Sequence, residues 1–297
     1  MTTRARTRRL YGVHALADTV TMLRRSLRHA WRSPSMTLTV VGMPVVTLLL
    51  FTYVLGGALG DGIGGPYARG GAYVDYVAPG IILTAATAGA LVTAVAVCVD
   101  VTDGLGDRFR TMAISRASFL TGHVVGSLVQ TLLSVLLVLA VAVLAGFRPD
   151  ATPVEWLAAF GVLTLLTLAL TWPAALVGLV ARTPETASNV PMPVQFLPFL
   201  GSAVVPPETM PAGLRWFAEY QPFTPATDTL RGLLTGTAVG GSALAAVAWC
   251  GGLAAVGYVW ARSAFDRGAG RRGVPEARGG PGVPGGPGGP GGPGYEG

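Results

Sequence analysis

Six long apolar runs, separated by short stretches that hold nearly all the charge, constrain this 297-residue chain more than any other feature. They lie at about 37–59, 77–99, 119–146, 156–180, 190–205 and 239–260. A helix needs about 20 apolar residues, at about 1.5 Å rise each, to cross a bilayer. Five runs reach that length. The fifth is shorter and carries Pro191, Pro193 and Pro198, so it is expected to be kinked, with neighbouring helices satisfying its freed carbonyls. The fold class is read as an all-α membrane protein. It has six transmembrane helices, an N-terminal interfacial amphipathic helix and an external re-entrant or interfacial helical segment.

The charges support a membrane layout. Only 12% of residues are charged, about half the usual share in soluble domains. All 21 basic residues are Arg. With the N-terminus placed in the cytoplasm, cytoplasmic segments hold 17 Arg. External segments hold four: Arg69, Arg148, Arg215 and Arg231. The acids divide eight to seven. A bias confined to Arg is what the positive-inside rule requires, so both termini are expected in the cytoplasm of a bacterial cell, with the chain multi-pass in the plasma membrane. The net charge of +6 then needs no nucleic acid to explain it.

The ends differ in character. Residues 1–16 form a basic leader. In 17–33, Val20, Leu23, Leu27 and Trp31 recur at helical spacing while Arg24, Arg25 and Arg28 occupy other faces. That pattern predicts an amphipathic helix lying on an anionic membrane surface. Residues 34–262 form the six-span domain. Residues 279–297 hold 16 Gly or Pro in 19 positions, and 263–297 is expected to be a disordered cytoplasmic tail.

Several chemistries are excluded. Without Lys the chain cannot form a Walker A phosphate loop. Cys98 and Cys250 sit in apolar runs with no His beside them, so no zinc pattern or disulfide framework arises. His14, His29 and His123 are scattered, and no nucleophile has a base at a recognisable spacing. No catalytic residue, bound cofactor or metal ligand is expected. The absence of acids within the spans argues against an ion-coupled transporter. The energy for any transport must come from elsewhere. Gln130 and Gln195 are the polar side chains deep in the spans; they either join helices or line a path.

Two loops carry information. Residues 100–119 place Asp103 and Asp107 before Arg108, Arg110 and Arg116, with Phe109, Met112 and Ile114 as apolar knobs. This order suits a short helix dipole and reads either as a docking element or as a solvated loop. Residues 206–236 collect Glu208, Trp216, Phe217 and Phe223 among prolines, as an external gate or an aromatic interfacial anchor.

Three stretches resemble the type-2 ABC exporter permeases of the daunorubicin/doxorubicin-resistance-like class. They are YVDYVAPGIIL (73–83), DRFRTMAISR (107–116), and the run from Thr183-Pro184-Glu185 through FLPFLGSAVVPPETMP to YQPFTPATDTLRGLL. Ala113 stands where the family usually has Pro, Gln221 where Asn is common, and Asp100 near a frequent Glu. The resemblance spans roughly residues 20–262.

The resemblance implies a subunit that works in pairs with a separate ATP-binding cassette subunit, which carries ATP and Mg. Docking would use the N-terminal helix and Asp107, Arg108, Phe109, Arg110, Met112, Ile114 and Arg116. The expected function is ATP-driven efflux of a drug, antibiotic or other amphipathic or lipid-like compound. Its path would lie between two copies of the chain, near Gln130, Gln195 and Phe199. Export of a polysaccharide or lipid-linked glycan, and a non-transporting assembly role, are the alternatives.

Overall fold

The computed structural model describes residues 34–57, 72–103 and 116–271. Among these the chain is entirely helical. α1 spans Pro34–Leu49 and passes into a π-helical turn, Leu50–Val54. α2 spans Ala72–Thr102, α3 Arg116–Leu144 and α4 Pro153–Val180. α5 is short, Pro184–Asn189, and a 3₁₀ helix follows at Met192–Leu200. A 3₁₀ turn at Pro207–Thr209 leads to α6, Ala212–Tyr220, and α7, Phe223–Thr235. α8 runs from Ser242 to Arg271. The basic leader, the predicted interfacial helix with Arg24, Arg25, Arg28 and Trp31, and residues 272–297 lie outside the described residues.

Four of these helices are long and apolar enough to cross a membrane: Tyr73–Thr102, Thr121–Leu144, Pro153–Val180 and Ser242–Ala261, with Val41–Val54 as a shorter apolar helix. The chain is an integral membrane protein. α2 is the central strut, its flank from Val77 to Ala86 almost fully buried. α3, α4, α7 and the 3₁₀ helix pack around it. Exposed Leu133, Leu137, Val256 and Trp260 on α3 and α8 fit a surface whose solvent is lipid.

Several hydroxyl residues inside the long spans are satisfied within their own helix. Thr93 on α2 donates to the Gly89 carbonyl at 2.8 Å, and Thr167 on α4 to Leu163 at 2.7 Å. This back-bonding within one helix lets threonine be buried without a partner helix. α4 begins at a capping box. The Thr152 hydroxyl accepts from the Glu155 N–H at 3.4 Å, and the Glu155 carboxylate accepts from the Thr152 N–H at 2.6 Å. Pro153 fills the first helical position, where no N–H is needed.

The structure corrects two boundaries. The fifth run is not one kinked α-helix: Pro191, Pro193 and Pro198 withdraw backbone donors, and the chain answers with α5, a turn and a nine-residue 3₁₀ helix. This broken segment still runs far along α2. It leaves the carbonyl of Ala181, 3.7 Å from the Cys98 sulfur, and arrives at Ala203, pressed on Gly80. Eighteen helical residues of α2 separate those points, about 27 Å. The tail also starts later than position 263, because α8 continues to Arg271: Ala261, Ala264 and Ala269 are strong helix formers, and no Pro intervenes before Pro275.

Candidate functional site

The site is the end of the bundle where α2 begins. Here α7 is inserted among α2, α3 and α4: Leu230 and Leu234 share a narrow apolar cleft with Ile82, Val135, Leu139 and Leu163. Ten of its thirteen residues are buried. Ile82 lies ten residues into α2, so α7 reaches about 15 Å into the bundle.

A charged network fixes α7 there. The Arg231 side chain is only 8% exposed. Its Nε donates to the Tyr76 carbonyl at 3.1 Å and its Nη1 to the Asp228 carboxylate at 2.8 Å, while Nη2 donates to the Ser202 carbonyl. The guanidinium also lies over the Tyr76 ring, 3.9 Å from its centroid, a cation–π contact. The Ser202 hydroxyl donates to Asp228 at 2.6 Å. The planar fork of Arg is what allows three directions at once. Burial pushes the Asp228 carboxyl above its ordinary range, while the bonds from Ser202 and Arg231 pull it back.

Backbone contacts close the same end. Gly80 meets Ala203 so tightly that a Cβ on Gly80 would sit 2.5 Å from the Ala203 Cα. The Arg148 N–H donates to Asp75 at 3.2 Å, and the Asp150 N–H to the Leu234 carbonyl at 2.9 Å. The YVDYVAPG motif thus receives three other parts of the chain: Asp75 the α3–α4 connection, Tyr76 the α7 arginine, and Gly80 the turn after the 3₁₀ helix.

The sequence profile of the ABC-2 type transporter family matches residues 17–235, which includes every element of this site.

The chain belongs to the ABC-2 type transporter family.

Curated relatives carry transporter names. The daunorubicin resistance ABC transporter permease protein DrrB1 of Streptomyces coeruleorubidus is 29% identical over 226 residues, 73% of this chain and 77% of the relative. The probable doxorubicin resistance ABC transporter permease protein DrrC of Mycobacterium tuberculosis, strains CDC 1551 and H37Rv, is 25% identical over 248 residues, 84% of this chain and 86% of the relative. The protein is a transmembrane permease subunit of an ABC exporter.

The permease distributes its sequence-predicted residues unevenly. Phe199 stacks on Phe51 of the π turn with ring centroids 6.3 Å apart. Gln195, on the same 3₁₀ helix, is half-buried, and its neighbour Phe196 is exposed. Gln130 is half-buried on α3, and its carbonyl accepts from the Ser134 hydroxyl at 3.1 Å. Of the gate residues, Glu208, Trp216 and Phe217 are exposed, Trp216 tilting against Tyr220. Phe223 differs: it opens α7 and is buried in the core, so it packs rather than presents a surface. Asp107, Arg108, Phe109, Arg110, Met112 and Ile114 lie outside the described residues, and Arg116 is the first residue of α3.

At the opposite end, His123 Nε2 lies 2.9 Å from the Asp100 carboxylate. This pair joins the end of α2 to the start of α3, flanking residues 104–115. Among the described residues, no group of three or more His, Cys, Asp or Glu gathers to hold a metal. Cys98 and Cys250 are buried free thiols.

From the sequence alone Arg231 counts as an external topogenic charge, and the buried network is not apparent. A signal existed: in TPATDTLRGLL, Asp228 and Arg231 fall three apart on one helical face, inside a stretch otherwise without charge.

Proposed function

We propose that this permease exports a drug, an antibiotic or another amphipathic compound, driven by ATP hydrolysed with Mg on a separate ATP-binding cassette subunit. The observation that carries the reading is the insertion of α7, held by buried Arg231, into the end of an apolar helical bundle. It builds a re-entrant plug above a path rather than a sealed anchor. The names of the relatives, daunorubicin and doxorubicin resistance permeases, support the substrate class. So does the composition of the broken fifth crossing, where Gln195 shares one 3₁₀ helix with Met192, Phe196 and Phe199, a set suited to an apolar compound with few polar groups.

In this reading the chain makes six crossings, counting α1 with its π turn and the α5–3₁₀ segment. Both termini and the Asp100–His123 end face the cytoplasm, as the Arg bias requires. Two copies enclose the path. The ATPase docks on residues 107–116 and the N-terminal interfacial helix, and its cycle moves the two halves. Trp216 and Phe217 rest at the outer interface, beside Glu208.

The test is expression of the chain with and without a candidate ATP-binding cassette subunit, measuring ATP-dependent doxorubicin uptake into inverted vesicles. Uptake should require both subunits, and should fall with substitutions at Gln195 or Phe199. Uptake without any ATPase subunit, or none with both present, rejects this function.

A further inference from the structure

α6 and α7 are adjacent in sequence and opposite in packing. α7 buries ten of thirteen residues; α6 buries only Ala218 of its nine. α6 packs on the Pro207–Thr209 turn and on α7, and shows Leu214, Trp216, Phe217 and Tyr220 outward. Its Arg215–Glu219 pair lies within the helix itself, so that pair fastens it to nothing else. The joint between the two helices is Gln221–Pro222.

Gln221 is only 4% exposed, and neither its amide nitrogen nor its amide oxygen has a hydrogen-bond partner. A buried amide left this way is costly, and such a group is a local reservoir of strain. The amide is wedged over Gly201, where a Cβ would meet Gln221 Nε2 at 2.4 Å. Ten residues further on, each of the three side-chain nitrogens of Arg231 donates a hydrogen bond. A satisfied clamp and an unsatisfied joint therefore stand side by side.

We propose that Arg231 is a positioning residue for export. It fastens α7 to the start of α2 as a fixed arm, against which α6, hinged at Gln221–Pro222, moves. The proposal rests on the export reading and adds to it which helix moves, which stays, and where the hinge lies. The movement would give the Gln221 amide a partner, while the hydroxyl of Thr224, bonded to the Ala218 carbonyl, keeps the ends of the two helices in register.

The experiment uses the full chain in nanodiscs with its ATPase subunit. Amide exchange is followed with and without a non-hydrolysable ATP analogue, and doxorubicin transport per ATP hydrolysed is measured in vesicles. In the parent protein, nucleotide should change exchange in 212–220 and leave 223–235 protected. Arg231→Gln should extend the change into 223–235 and lower transport per ATP about tenfold, with Arg231→Lys between, since Lys keeps the charge but loses the fork. Gln221→Leu, which removes the orphaned amide, should hold 212–220 in one state and abolish its nucleotide response. Nucleotide-dependent exchange in 223–235 of the parent, or a Gln221→Leu chain that responds like the parent, overturns the proposal. So does an Arg231→Gln loss that only tracks the amount of folded protein. A parent complex that moves no doxorubicin while its α6 still responds to nucleotide rejects the substrate reading and leaves the hinge standing.

Discussion

The Arg231 guanidinium reaches back 155 positions to donate a 3.1 Å hydrogen bond to the Tyr76 carbonyl, and covers that residue's ring as it does so. Two motifs far apart in the chain are thereby one structural unit. Breaking the unit from its two charged ends should have unequal effects. Arg231→Gln leaves two carbonyls and a carboxylate without their cation, and should cost about 3 to 5 kcal/mol. Asp228→Asn keeps an acceptor for Ser202 on a side chain still 39% exposed, and should cost about 1 kcal/mol. Thermal unfolding of the two variants in the same detergent checks the order; equal losses would count against the clamp.

Gly80→Ala should destabilise the permease by about 1 to 3 kcal/mol through overpacking. The new methyl would meet both the Cα and the Cβ of Ala203 at 2.5 Å. Because one of those atoms is backbone, Ala203→Gly should recover only part of the loss. Full recovery in the double variant, read by the fraction surviving a heat step, would show that the approach is not set by the backbone.

Thr152→Ala removes the hydroxyl that caps α4 and should cost about 0.5 to 2 kcal/mol. The damage should be local, with faster amide exchange confined to the first turn after Pro153. Thr152→Ser retains the oxygen and should behave like the parent. Uniform change along α4 would argue against a capping role.

The aromatic residues of 216–223 should separate sharply. Phe223→Ala empties a buried position of the core, at about 3 to 5 kcal/mol. Trp216→Ser acts on a ring 65% exposed and should stay within about 0.5 kcal/mol in detergent, while weakening retention at the bilayer interface. The chain has six Trp, so the fluorescence difference between the parent and Trp216→Ser, taken in nanodiscs and in detergent, isolates the Trp216 ring and checks whether it sits at the bilayer interface.

The four long spans, and the broken nature of the fifth segment, were legible because apolar runs and prolines act locally: each helix satisfies its own backbone, and each Pro removes a donor wherever it stands. The π turn after Leu49 and the reach of α8 to Arg271 were less so, since helix ends are settled by small differences in backbone bonding. Phe223 reads in sequence like its aromatic neighbours Trp216 and Phe217. Only the insertion of α7 separates it from them.

Sequence alone determined that this chain lives in a membrane and where its long apolar helices lie, because composition and periodicity depend on residues near in the chain. Tertiary structure decided that Arg231 is a buried tie rather than a surface charge, that Gly80 is a contact point and that Gln221 is left unpartnered. Each of those depends on which distant backbone atoms arrive beside the side chain, and no local pattern encodes that meeting.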